Sequence, residues 1–281
     1  MSLEKVVGDI DFGEGPRWHD GRLWYSDFYQ GAVFAVDLGG RREQIVSIDD
    51  QPSGLGWLPN GDLLLVAMKS RRVLRFDGQR THVYADLTKW APGYCNDMVV
   101  TSVGHAYVGD FGFAEDDRSI PEPTSLIHID PAGAIRSTGP GLQFPNGMVI
   151  PDAGNTLIVA ESVGQKMTEL EMRADGSLGA ASVFAHTSGR APDGCTLDDE
   201  GAVWFADAGR PGRAVVRVAR GGAVLDLIET EDPPYACMLG GESGDQLFVL
   251  TAPSSSEAKV SGQGRGALWV TGVEVPSAGL P

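Results

Sequence analysis

Four oxygen-bearing side chains sit at matching points of a recurring phrase in this sequence. The phrase reads Phe144-Pro145-Asn146-Gly147-Met148, and again Ala191-Pro192-Asp193-Gly194-Cys195. Related stretches place Glu14 before Gly15-Pro16-Arg17-Trp18, and Asn96 between Cys95 and Asp97. Carboxylate and amide oxygens are hard ligands. They suit Ca²⁺, Mg²⁺ or Mn²⁺ and are acceptable to Zn²⁺. Crowded carboxylates repel one another, and a divalent cation would relieve that repulsion. Taken singly, Asn, Asp and Gly at such points also read as turn residues. Glu14 does not, because glutamate is a poor turn former.

No competing nucleophile signature is present. There is no G-x-S-x-G, and Ser254-Ser255-Ser256 reads as a flexible loop. Cys95 and Cys195 lie within two residues of the phrase, where a small buried hydrophobe is the simpler reading of each.

Elements must bring these residues together, and the repeat supplies them. Each phrase opens a strand, a turn follows, and two further strands come after it. Pro59-Asn60-Gly61-Asp62 is one such turn, before a strand at Leu63–Ala67. Aligning Glu14, Ser53, Asn96, Asn146, Asp193 and Ala236 gives spacings of 39, 43, 50, 47 and 43 residues. A four-stranded propeller blade takes ~40–50 residues. Helical periodicity is absent; even Met167 to Met172 alternates at period two. The pattern predicts an all-β chain, a six-bladed β-propeller with four-stranded antiparallel blades, as one domain over residues 1–281. Residues 3–9 are expected to close the last blade. The stretch 111–124 is longer than a normal turn and carries Glu115, Asp116 and Asp117, as functional insertions often do.

Composition narrows the partners. A net charge of −16 over 281 residues argues against nucleic-acid and anionic-membrane binding, both of which call for Lys/Arg patches. Three widely spaced cysteines make no disulfide framework and fit a reducing cytosol. The N-terminal residues show no signal-peptide pattern. Apolar runs reach about six residues, against roughly 20 for a membrane span. A cytoplasmic protein acting on a small-molecule substrate is expected; the oligomeric state is left open.

As an ordered set, Glu14-Gly15-Pro16-Arg17-Trp18, Asn96-Asp97, Phe144-Pro145-Asn146-Gly147-Met148, and Pro192-Asp193-Gly194 with Asp198, Glu200 and Gly201 behind it resemble the senescence-marker-protein/gluconolactonase family. That family includes regucalcin and luciferin-regenerating enzymes. The resemblance spans nearly the whole chain. It implies a six-bladed propeller holding one divalent metal, Ca²⁺ first, with Glu14, Asn146 and Asp193 as ligands and Asn96 beside them. It implies hydrolysis of a lactone, with Asp193 as general base toward a metal-activated water.

Tyr94, Asp110 and Phe113 are expected with Asn96 on the substrate side. Tyr94 and Met98 stand where sugar-lactone members carry Arg and Gly. Tyr94 offers an aromatic face instead of a fork of donors, which points to a lactone less polar than gluconolactone. Two alternatives share the platform: another metal-assisted C–O hydrolysis or hydration, and a non-catalytic calcium-binding propeller.

Overall fold

The computed structural model describes residues 2–113, 121–151, 154–209 and 213–281. Glu115, Asp116 and Asp117 of the long insertion lie outside the described residues. Six four-stranded antiparallel sheets follow one another around a central channel. Blade 1 shows the plan: Gly13–His19 lies innermost, then Arg22–Asp27, Ala32–Val36 and, outermost, Arg42–Ser47. The innermost strands of blades 2 to 6 are Pro52–Trp57, Cys95–Val100, Pro145–Val149, Pro192–Leu197 and Pro234–Gly240.

Burial explains the sequence pattern. The middle strands are covered on both faces by neighbouring blades, so they read as unbroken apolar runs such as Leu63-Leu64-Leu65-Val66-Ala67. Outermost strands such as Arg42–Ser47 are half exposed and mixed. The core lies between blades. Leu64, Val66 and Val73 of blade 2 meet Met98, Val108 and Ile127 of blade 3, and Ile158 and Met167 of blade 4 meet Phe205 and Val216 of blade 5.

Ring closure follows the expectation for the N-terminal stretch. Glu4–Ile10 forms the outer strand of blade 6, pairing antiparallel with Gly266–Gly272 from Glu4↔Val270 to Ile10↔Gly266. N- and C-terminal strands thus share one sheet, and the ring has no seam. The turn predicted at Gly61 is present, with φ +88°. Among the described residues one short helix, Glu257–Val260, interrupts the β structure in the Ser-rich loop. Among the described residues no helix is long and apolar enough to cross a membrane.

The two channel ends differ. At one end the C-terminal residues lie across the strand ends: Leu280 exchanges backbone hydrogen bonds with Ile150 (2.8 and 2.9 Å), and Ala278 N donates to Leu197 O at 3.0 Å. The other end is open and carries the phrase residues.

Candidate functional site

Every innermost strand is irregular at one place. Its pairing register shifts just after its start, between Glu14 and Arg17, Pro52 and Leu55, Cys95 and Met98, Pro145 and Met148, Pro192 and Cys195, and Pro234 and Ala236. A bulge re-aims the side chains it contains. Here it turns the second residue of each strand toward the channel. Those residues are Glu14, Ser53, Asn96, Asn146, Asp193 and Tyr235.

The sixth position is a correction. Ala236 was expected there, but Pro234↔Thr251 is the counterpart of Pro192↔Asp207, which makes Tyr235 the equivalent of Asp193. Ala236 is buried in the core between blades 6 and 1. The Pro-X phrase of Pro52, Pro145 and Pro192, repeated at Pro234-Tyr235, carries this register in the sequence.

Glu14, Asn96, Asn146, Asp193 and Tyr235 line one cavity of about 420 Å³. Ser53 is buried and absent from its described lining; its carbonyl accepts from Ser26 Oγ at 2.6 Å. Tight spacing of the inner strands makes this convergence possible. A Cβ on Gly147 would lie 2.6 Å from Cys195 N and 2.7 Å from Asp193 O, and one on Gly194 would lie 2.6 Å from the Ala236 Cβ. Glycine after the site residue lets adjacent blades meet backbone to side chain.

The amides are tethered. Asn96 Nδ2 donates to Pro145 O at 3.1 Å. Asn146 Nδ2 donates to Ser162 Oγ at 3.3 Å, and the Ser162 hydroxyl donates to Pro192 O at 2.7 Å. The carboxylates are less well satisfied. Asp193 Oδ1 is buried without a hydrogen-bond partner among the described residues. Among the described residues Glu14 accepts only a long bond, 3.3 Å, from Gly15 N.

Burial pushes the Glu14 carboxyl well above its ordinary range, and the charges of Asp193 and Asp97 push it further. Burial does the same to Asp193, aided by Asp97 and opposed in part by Asn146. Glu14 keeps some surface open to the cavity. The protein around it still excludes most water, so desolvation remains the main cause.

The hydrogen bonds that Arg17 makes behind the oxygen ring were not legible in the sequence. Arg17 is buried and donates to Pro16 O (2.8 Å), Leu55 O (3.1 Å), Met98 O (2.6 Å) and Asp97 Oδ1 (2.7 Å). In the sequence Arg17 stands out as part of the Glu14-Gly15-Pro16-Arg17-Trp18 motif, but nothing local points to its partners.

Above the oxygen ring stands an aromatic collar. Phe12, Phe28, Tyr29 and Tyr235 form one wall, with Phe12 and Tyr235 centroids 4.6 Å apart. Tyr94, Phe111, Phe113 and Phe144 also line the cavity, with Tyr94 and Phe111 packed on the same apolar cluster as Phe12 and Phe28. Of these lining residues, Tyr94 and Phe113 lie on segments joined by Tyr94 N→Phe113 O (3.3 Å) and Phe111 N→Tyr94 O (2.9 Å).

Asp110 is absent from the described lining of this cavity. Its buried carboxylate accepts from Gly93 N (3.0 Å) and Gly112 N (2.7 Å), and burial pushes it up to about 6. Asp27, Glu161 and Asp207 end the second strands of blades 1, 4 and 5 and accept in the same way, from Phe12 N, Gln143 N and Ala191 N. These carboxylates fix the chain as it enters the innermost strand. Cys95, Cys195 and Cys237 are free and buried, and burial pushes all three thiols up. That disfavours thiolate and leaves them a packing role.

Among the described residues no three His, Cys, Asp or Glu side chains gather as a metal group. The cavity's donors are two carboxylates with two amides, so any cation held here would be a hard one taking oxygen ligands.

Comparison with known proteins agrees with this architecture. The chain is 24% identical to a pentonolactonase of Haloferax volcanii, over all of this chain and 97% of that one. It is 22% identical to a 6-deoxy-6-sulfogluconolactonase of Pseudomonas putida, over 96% and 94%. In structure it is similar to a calcium-binding regucalcin of Agrobacterium tumefaciens, with TM-score 0.82, 20% identity, and coverage of 100% and 96%. The family described as SMP-30/Gluconolactonase/LRE-like region matches residues 12–253, and the chain belongs to that family.

Proposed function

We propose that this protein is a hydrolase that opens a lactone ring at the cavity formed by Glu14, Asn96, Asn146 and Asp193. The observation that carries the reading is the buried, unpartnered Asp193 Oδ1 beside a second desolvated carboxylate, Glu14. The names of the two lactonase relatives support the reaction class.

The residues fit a divalent cation. An orphaned buried oxygen, two carboxylates raised by burial and two tethered amides make an oxygen donor set lacking positive charge. Glu14, Asn146 and Asp193 would hold the ion, and Ca²⁺ is favoured because the structurally similar regucalcin is described as calcium-binding. When bound, such a cation supplies Lewis acidity toward an ester carbonyl and lowers the pKa of water.

The chain's own groups do the rest. Asp193 accepts the proton of the attacking water on a carboxylate oxygen and returns a proton to the departing alkoxide, so that water adds across the acyl C–O bond. Asn96, anchored through Nδ2 on Pro145 O, presents its remaining amide hydrogen and its oxygen to the ring substituents. Phe12, Phe28, Tyr94, Phe111, Phe113 and Phe144 exclude water. This apolar collar favours a lactone less polar than gluconolactone. Free, buried cysteines support a cytoplasmic setting.

A second reading, a non-catalytic calcium-binding propeller, draws on the regucalcin likeness. One experiment separates the two. Metal content is measured, and sugar, aliphatic and aromatic lactones are offered to the metal-loaded and chelated protein. Turnover abolished by chelation supports the hydrolase; bound metal without turnover of any lactone supports the second reading.

A further inference from the structure

Resting on the lactone reading, we propose that Phe144 selects the substrate: its ring, clustered with Phe111 and Phe113, forms an aromatic wall that takes a planar apolar substituent on the lactone. Three observations converge on it.

In blades 1 to 5 the residue just before the innermost strand forms the layer above the oxygen ring. Phe12, Gln51, Tyr94, Phe144 and Ala191 occupy that position in blades 1 to 5, and all five line the cavity. Of these, only Phe144 has positive φ, 61°. The left-handed region is strained for a bulky side chain, and Pro145 further disfavours compact backbone at the residue before it. Such strain persists where the surroundings over-determine it and clusters at ligand sites. The Phe144 carbonyl is pinned by Ser162 N at 3.1 Å.

The ring's company is the third observation. Phe144 stacks on Phe111 with centroids 4.8 Å apart and planes 18° apart, and Phe113 lies 5.9 Å away. Phe111 and Phe113 are themselves stacked at 5.8 Å. The unusual backbone therefore places a third ring against two others on one side of the cavity. Its neighbour Asn146, two residues on, belongs to the oxygen ring. Wall and reactive floor are joined by one short segment, so a flat group seated on the wall would set the lactone carbonyl over the donors. Packing alone would not require the strain, since an unstrained backbone at the other four positions also builds a lined collar.

The test compares wild type, Phe144→Gly and Phe144→Leu in saturating Ca²⁺. Calorimetry measures the affinity of two non-hydrolysable lactams that differ only in a methyl or a phenyl substituent. The matching lactones are assayed for turnover. Wild type is expected to prefer the phenyl lactam, and Phe144→Gly to reduce that preference about tenfold, the scale of one lost aromatic contact with its burial. Phe144→Leu keeps apolar bulk and is expected to fall between them. Because glycine adopts positive φ freely, Phe144→Gly is expected to melt no lower than Phe144→Leu.

Absence of a wild-type preference, absence of binding by either lactam, or an equal loss for both lactams in the variants would overturn the proposal. A wild type that keeps the phenyl preference but opens neither lactone overturns the hydrolase reading and leaves the recognition role of Phe144 standing.

Discussion

Arg17 Nη2 donates to Asp97 Oδ1 at 2.7 Å, and both side chains are almost fully withdrawn from solvent. This pair lies at the heart of the channel. Asp97 acts electrostatically on Glu14 and Asp193, while Arg17 also lines the opposite opening with residues 279–281. Of these three carboxylates, Asp97 and Glu14 are acted on by the one buried guanidinium, Arg17. A divalent ion at the oxygen ring would bring the sum of these charges to zero.

Removing half of the pair should be costly. Asp97→Asn leaves the Arg17 guanidinium buried and unpaired, with an expected loss of about 3–5 kcal/mol. Denaturant unfolding of the metal-free protein measures it. The double variant Arg17→Met with Asp97→Asn should lose less than the two single losses added, because no buried charge of the pair remains.

Close approach of the blades predicts a second effect. In Gly147→Ala the new Cβ would meet Cys195 N at 2.6 Å and Asp193 O at 2.7 Å, both backbone atoms of the next blade. Overpacking of this kind costs about 1–3 kcal/mol. The strain falls on the strand that carries Asp193, so calcium affinity by calorimetry should drop together with the melting temperature. Gly61→Ala, in an open turn with no atom within 4 Å, should lower stability through its positive φ alone and leave calcium affinity unchanged.

The expectation for blade organisation rested on spacing, and spacing was enough. Strand, turn and strand recur because each blade needs the same inner edge and the same apolar faces. Register was harder to read. Ala236 and Tyr235 differ by one residue, and only the bulge after Pro234 decides which of them enters the channel. Asp110 is hard to read for a related reason: a carboxylate at a strand end reads alike whether it faces substrate or caps backbone N–H groups. Its equivalence with Asp27 and Asp207 emerges only once the second strands are aligned. Arg17 was legible as a motif residue, but its partner lies 80 positions away, beyond any local pattern.

A pH effect should arise far from the cavity. His128 is buried in blade 3, its Nε2 lies 2.8 Å from His105 Nδ1, and its own Nδ1 has no partner among the described residues. Burial lowers its pKa to about 4, with Arg136 and His105 adding to the shift and Asp130 and Asp175 opposing it. The folded value lies below the unfolded value near 6.5. The unfolded chain therefore binds the extra proton first, and stability falls as pH drops from about 6.5 toward 4. Replacing His128 with Gln should flatten that part of the stability–pH curve relative to wild type. A slope unchanged by the substitution would remove His128 as its source.

In the proposed function Asp193 both holds the cation and moves the proton. Asp193→Asn keeps the shape of the side chain and removes the charge. Calcium binding by calorimetry and turnover of the best lactone substrate at saturating calcium are read on the same preparation. The account predicts weaker calcium binding together with a loss in kcat of roughly 10²–10⁴-fold, the scale of a lost general base. Turnover and calcium affinity both at the wild-type level in Asp193→Asn would contradict it.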